Sequence, residues 1–251
     1  MANTDRVDKS LFQDAHYLGK PADEVDKIIT RRINILERYP QFFNREADLI
    51  EVGSGSGATI TKLAGRFRSA LAIDIFDYSA FFKEQQLKNN DNVSTFRKLD
   101  LERETLPGLF DRLISFEVIE HLKSDDSIAK YSALLRPNGL AAITVPNKWW
   151  IFETHGAKLP LLPWNRVPFF SWLPTRIHER YANARIYTRK RITTLFEKHG
   201  FSIIDAVYVT APMDVLKEGR LKRLLTKNIF RDDTTKVPFL ATSVFVLAKK
   251  K

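Results

Sequence analysis

Apolar and polar positions alternate along this chain in short blocks of two kinds. Val25, Ile28, Ile29, Ile33, Leu36 and Tyr39 recur at helical spacing, which predicts a helix over 21–43 ending near Pro40. Strand-like runs follow at 48–53, 70–75, 93–97, 110–116 and 139–145, separated by helix-compatible segments at 57–67, 78–89 and 122–135. Such alternation predicts an α/β fold in which a largely parallel sheet is covered on both faces. Arg136-Pro137-Asn138-Gly139 is a helix stop and turn. The rhythm lapses over 147–187, which holds all four tryptophans (Trp149, Trp150, Trp164, Trp172), and this segment is read as an insertion. It resumes with a helix at 188–199, closed by His199-Gly200, and a strand at 201–209. A basic segment, 217–231, is helical in part, and a last strand covers 241–248. Residues 1–46 form an N-terminal helical segment, and 47–251 one domain carrying the insertion.

Composition narrows the classes. A chain of 251 residues, 44% hydrophobic, can bury one sizeable core. No run approaches the ~20 apolar residues of a spanning helix, and the polar 1–10 stretch lacks the apolar core of a signal peptide. The absence of cysteine excludes disulfides and thiolate chemistry, and a reducing cytosol is expected. The formal charge of +10 favours an anionic partner, whether nucleic acid, an anionic membrane surface or a phosphorylated substrate. The plainer alternative is a solvated basic surface.

The stretch 48–57 holds the first candidate chemistry. Leu49, Ile50 and Val52 end abruptly at Gly53, Gly55 and Gly57, which predicts a strand, a tight turn and a helix start that a ligand can approach closely. Gly53-x-Gly55-x-x-Ala58 can be aligned with a dinucleotide fingerprint, with Asp74 near the ribose position. Glu51 decides against it. A carboxylate two residues before the first glycine would repel a diphosphate and attract a cation such as the sulfonium and ammonium of S-adenosylmethionine. Its alternative is a solvated strand-end residue. Asp74 can accept two hydrogen bonds from a diol or cap a helix, and Asp100 can cap the 101–106 segment.

These residues resemble the class I S-adenosylmethionine-dependent methyltransferases from about Asp48 to Phe201, with a plausible final strand at 241–248. Glu51-x-Gly53-x-Gly55-x-Gly57 is similar to their first motif, Ala72-Ile73-Asp74 to the second, and Arg97-Lys98-Leu99-Asp100 to the adenine loop. The run from Phe110 to Leu122 is similar to their fourth-strand motif, and Leu134 to Leu140 to the turn before strand five. The resemblance implies a Rossmann-like mixed sheet of seven strands, the last antiparallel, with helices on both faces and an N-terminal helix over the cofactor. It also implies a cofactor set of Glu51, Gly53, Ser54, Gly55, Gly57, Asp74, Ile75, Asp100, Leu101, Phe116 and Glu117. Ile75 and Phe76 stand where adenine would be sandwiched, or in the core.

Glu117-Val118-Ile119-Glu120-His121 falls at the end of the fourth strand. Two carboxylates and an imidazole are a workable set for a divalent metal such as Mg²⁺, which would lower the pKa of a bound hydroxyl. The pattern resembles that of the ubiquinone-pathway O-methyltransferases and the small-RNA 2′-O-methyltransferases. Both add a downstream ligand, for which His155 and His178 are the candidates, although neither surrounding sequence matches those branches. His121 as a general base or substrate positioner, and His121 in a structural role, are the other readings.

Three readings compete for the aromatic insertion. It is a mini-core with tryptophan as packing, or a membrane-facing flap with Arg176, Arg180, Arg185, Arg189, Lys190 and Arg191 meeting anionic headgroups, or an RNA surface with bases on aromatic rings. The expected function is O-methylation of a small or lipid-linked acceptor (quinone, isoprenoid or glycolipid) by a cytoplasmic protein, peripheral at the membrane under the flap reading. A sugar or surface glycan and an RNA 2′-hydroxyl are the alternative acceptors. A cofactor-binding scaffold without catalysis is the non-enzymatic one.

Overall fold

In the computed structural model, which describes residues 27–153, 168–213, 216 and 219–251, strand β1 (Asp48–Val52) is the centre of the sheet. It pairs in parallel with β2 (Ser69–Asp74), beyond which lies β3 (Ser94–Lys98). On its other side come β4 (Phe110–Phe116) and β5 (Leu135–Pro146), also parallel. Then β8 (Ala241–Lys250) runs antiparallel between β5 and β6 (Phe201–Thr210), and β7 (Thr234–Thr235) closes the edge. The order is β3-β2-β1-β4-β5-β8-β6-β7. The sheet therefore has eight strands and not the seven expected. Strand β7 is two threonines paired with Tyr208 and Val209, too short and too polar to leave an apolar run.

The chain builds outward from β1 to β3 and then returns to the far side of β1 as β4. That reversal opens a crevice at the carboxyl ends of β1 and β4, where ligands of open α/β sheets bind. Alternation along β1 assigns its side chains to the two layers. Leu49 packs with Ile35 and Leu36 of helix α1 (Lys27–Glu37), Ile60 of α2 (Ile60–Leu63) and Phe82 of α3 (Ser79–Asn89). Ile50 and Val52 face the opposite layer, with Tyr131 of α4 (Ile128–Leu134) and Phe196 of α6 (Arg189–Lys198). Helix α5 (Thr175–Tyr181) lies in the insertion, and α7 (Arg220–Asn228) between β6 and β7.

Several predicted helices are shorter than their patterns. The 57–67 helix is one α turn followed by a 3₁₀ turn at Ala64–Arg66, where Gly65 weakens continuation. The 122–135 helix starts only at Ile128, because Ile119–His121 and Asp125–Ser127 form separate 3₁₀ turns. Strand β5 starts earlier than its pattern, with Arg136–Gly139 bulging out of register and Asn138 left-handed at φ 66°. Residues 21–26 of the first predicted helix lie outside the described residues.

The crevice walls are tied by buried hydroxyls. Ser115 Oγ donates to Val52 O at 3.1 Å and stands 2.7 Å from Tyr131 Oη, which joins β1, β4 and α4 beneath the site. Among the described residues no helix is long and apolar enough to cross a membrane. Tyr131→Phe removes one buried hydrogen bond and should lower stability by about 1 kcal/mol. Urea unfolding checks this; an unchanged midpoint would show that the tie contributes nothing.

Candidate active site

Glu51 shares its layer with Leu49, so its side chain turns toward α1 and α2. It is 3% exposed, and its Oε2 accepts the backbone N–H of Ile60 at 3.2 Å. Burial pushes the carboxyl up to about 8, with nearby Asp74 adding to the effect and the Ile60 N–H and Arg32 opposing it. Glu51 is thus a buried acid and not a solvated strand end.

The glycine turn beside it has no space for side chains at two positions. A Cβ on Gly53 (φ 72°) would stand 2.3 Å from Val118 Cγ2, and one on Gly57 (φ 82°) 2.4 Å from the Phe82 ring. Gly53 and Ser54 donate their N–H groups to Ile73 O at the end of β2. Asp74, the next residue, accepts the Gly55 N–H at 2.9 Å and the Phe76 N–H at 3.0 Å. Burial raises its carboxyl above the usual range. The helix-cap reading of Asp74 does not hold, since Tyr78 is the residue that precedes α3.

The adenine-side expectations divide. Ile75 is 40% exposed beyond the end of β2. Asp100 accepts the Glu102 N–H at 2.9 Å and stands 3.3 Å from Arg103 Nε, the geometry of the capping alternative. Leu101 is a core residue packed in the layer of Ile73 and Leu99. Phe116 is also buried, with the Arg32 guanidinium 5.5 Å from its ring centre.

Arg32 is the site residue that pattern reading misses. Between Ile28, Ile29 and Ile33 it scans as a polar position of an amphipathic helix, yet it is 6% exposed. Its Nη2 stands 3.2 Å from Glu117 Oε1. Burial lowers its pKa, and Glu117, Glu120 and Glu51 oppose that, Glu117 most strongly. Glu117 itself is left-handed at φ 57°, with its N–H held by Thr144 O at 3.0 Å. A non-glycine residue in that region is costly and marks functional sites.

The 3₁₀ turn Ile119–His121 is held from outside. Arg185 donates to Ile119 O at 2.6 Å and Leu122 O at 2.7 Å, and its N–H reaches Glu120 O. Glu120 is 2% exposed, and burial together with Glu117 raises its carboxyl well above the usual range. His121 is half-buried at the end of that turn.

The metal set of Glu117, Glu120 and His121 is corrected. Among the described residues no group of three His, Asp or Glu side chains is placed to hold a metal ion. Glu117 is committed to a guanidinium, and Glu120 is buried in a form that resists ionisation. Nor does His178 supply a downstream ligand: fully buried against Phe170, it stands 2.6 Å from Glu153 Oε2 within the insertion. His155 lies outside the described residues.

The residues fit a cationic amino-acid-bearing adenosine ligand. Glu51, Asp74, Glu117 and Glu120 outnumber the two guanidiniums that act on them, Arg32 and, at Glu120, Arg185, so the crevice favours added positive charge. Two buried polar atoms, Arg32 Nε and Ser54 Oγ, have no hydrogen-bond partner among the described residues and suit a ligand carboxylate. The bare glycine backbone admits it at close range.

Glu51 also makes a pH prediction. Its folded-state pKa of about 8 lies above the ordinary 4.5, so its contribution favours folding at low pH and is lost as pH rises between those values. Ligand-free Glu51→Gln should therefore gain on the parent protein as pH rises from about 5 to about 8.5, by roughly 5 °C in Tm. Parallel Tm–pH curves for the two proteins would remove the buried neutral carboxyl.

The chain is similar to known proteins. The family model described as "Methyltransferase domain" matches residues 25–206. The ubiquinone biosynthesis O-methyltransferase of Dechloromonas aromatica (strain RCB) is 25% identical over 175 residues, covering 65% of this chain and 75% of that protein. A candidate S-adenosylmethionine-dependent methyltransferase from Listeria monocytogenes superposes with a TM-score of 0.60 at 14% identity, over 89% of this chain and 98% of that one. The N-methyltransferase NodS of Bradyrhizobium japonicum WM9, solved with S-adenosyl-L-homocysteine, gives 0.52 at 11% identity over 88% and 86%. With the matched domain running from α1 into β6, the chain belongs to the S-adenosylmethionine-dependent methyltransferases.

Proposed function

We propose that this methyltransferase acts on a hydroxyl of a small or lipid-linked acceptor of the quinone, isoprenoid or glycolipid type. The observation that carries the reading is His121, a half-buried imidazole four residues after Glu117, on a turn clamped by Arg185 at the exit of β4. An oxygen nucleophile must lose its proton as it attacks, and an imidazole held at a fixed place is suited to take it. The curated relative is an O-methyltransferase, which supports oxygen as acceptor atom.

When bound, S-adenosylmethionine supplies an electrophilic methyl carbon on a sulfonium. His121 would take the proton of the acceptor hydroxyl as its oxygen becomes methylated. The chain's own contribution is alignment. Glu51 and Glu117 attract the donor's cationic centres, and Asp74 offers carboxylate oxygens to its ribose diol. Arg32 prevents Glu117 from standing as an unpaired buried charge. Substrates reach the site along the carboxyl edge of the sheet.

An open groove of about 830 Å³ lies farther along that edge, lined by Tyr208, Thr210, Ile229, Thr234, Lys236 and Arg189 among others. Strands β5 and β8 stand between β4 and β6, so the groove is about 14 Å from the crevice at ordinary strand spacing. An elongated acceptor would span that distance; a compact one would not need it.

Nitrogen is the second acceptor atom to weigh, because NodS shares the fold and is an N-methyltransferase. The test is methyl uptake from labelled donor into lipid, glycan, RNA and amine fractions. Uptake into lipid-extractable hydroxyls is expected; label confined to amines or RNA would replace the proposal. His121→Gln should lower turnover roughly 100-fold while donor affinity stays within about threefold. Asp74→Ala should weaken donor binding at least about tenfold by titration calorimetry. A His121→Gln enzyme of normal turnover would remove the imidazole from the chemistry.

A further inference from the structure

Helix α7 (Arg220–Asn228) has its apolar side chains on two faces. Leu225 and Phe230 turn inward onto a mini-core with Trp150, Ala211 and Met213. Leu221 and Leu224 turn outward, 63% and 62% exposed, and Ile229 follows at 51%. Residues three apart are neighbours on a helix surface, so the two leucines form one exposed pair. Arg220, Arg223 and Lys227, also at helical spacing and exposed, run beside them, and the helix contains no acid. Paired outward leucines have no role in the fold. Apolar surface flanked by cations is the composition of a helix that lies in a membrane interface.

The same mini-core supports a second exposed apolar group. Trp150 is buried in it, while its neighbour Trp149 packs edge-on at 6.5 Å against Trp172, and Phe169 also meets Trp172 edge-on at 5.0 Å. Phe169 is 53% exposed, Trp172 42% and Ile177 46%. Tryptophans with one wet side suit the headgroup level. Not all the arginines first assigned to that role are free for it. Arg185 and Arg191 are spent on Asp125, Glu179 and backbone carbonyls, which leaves Arg176, Arg180, Arg189 and Lys190 exposed, and α7 adds three further exposed cations.

We propose that α7 lies on an anionic bilayer surface, with Leu221 and Leu224 inserted among the acyl chains and Arg220, Arg223 and Lys227 at the headgroups. A second copy of the chain is disfavoured by charge, because joining two such helices would bring three exposed cations against three. RNA is disfavoured by chemistry, since leucines offer bases no ring to stack on. Ile229, which follows α7, also lines the groove on the carboxyl edge, so the proposed lipid-facing surface continues into the path toward the site. The inference does not depend on oxygen being the acceptor atom.

Co-sedimentation with phosphatidylcholine vesicles, with and without phosphatidylglycerol, tests it. The parent protein should bind the anionic vesicles and largely ignore the neutral ones, and added salt should weaken binding. Leu221→Glu/Leu224→Glu should lower the bound fraction at least about tenfold. Arg220→Gln/Arg223→Gln/Lys227→Gln, which leaves the leucines in place, should remove the preference for phosphatidylglycerol. Both variants should keep donor affinity and Tm, which shows that the fold is intact; should the leucine variant fail to fold, the charge variant decides alone. Absence of binding by the parent protein overturns the proposal, as does equal binding to both vesicles. So does normal binding by the α7 variants with loss only in Phe169→Ser/Trp172→Ser. Leucine-dependent dimers in sedimentation velocity without vesicle binding, or retention of RNA in their place, would assign the face to the other partner.

Discussion

Burying acids at the carboxyl end of a parallel sheet is the constraint on which this site depends. Glu51, Asp74, Glu117 and Glu120 all stand at or just beyond strand ends, and burial raises the carboxyls of Glu51, Asp74 and Glu120. A buried carboxylate is costly unless it is paired. Backbone N–H groups of Ile60, Gly55 and Phe76 hold two of the four, and the Arg32 guanidinium holds a third. The fourth, Glu120, is buried beside Glu117 with the Arg32 and Arg185 guanidiniums acting on it.

Helix α1 ties the balance to the rest of the molecule. Its consecutive arginines are both buried but act in different places. Arg31 donates to Phe230 O at 2.5 Å and to Asp232 O, fastening the segment that follows α7, while Arg32 reaches Glu117. Tyr39, just beyond, donates to Asp205 Oδ2 at 2.7 Å and stacks on Phe245. The N-terminal segment is thus a structural part of the site and of the sheet, and a change at α1 acts on both the donor crevice and the proposed lipid-facing end.

The insertion after β5 divides its aromatics by function. Trp150 and Phe170 are buried, and His178 with Glu153 forms a buried pair beside them. Trp149, Phe169 and Trp172 remain at the surface. A mini-core and an exposed apolar face are therefore both present, one supporting the other. Trp164 lies outside the described residues.

Much of this was legible in the sequence where the physics is local. Period-two and period-3.6 patterns located every strand but β7, because burial on one or two faces writes itself into neighbouring residues. The turn at Gly53–Gly57 and its flanking Glu51 and Asp74 were legible for the same reason: a strand, a tight turn and an acid within a few residues. Arg32 was not, since nothing in its helix distinguishes a buried guanidinium from a solvated one; only the approach of α1 to Glu117 across 85 positions does so. The metal set was misread because the spacing of Glu117, Glu120 and His121 says how near the residues are in sequence. The 3₁₀ turn and the left-handed Glu117 decide where their side chains go. The glycines with Glu51 were enough for the sequence to point to the class of donor. Which acids are paired, and which leucines of α7 are left facing outward, was decided by tertiary contacts, because charge pairing and burial are properties of neighbours in space.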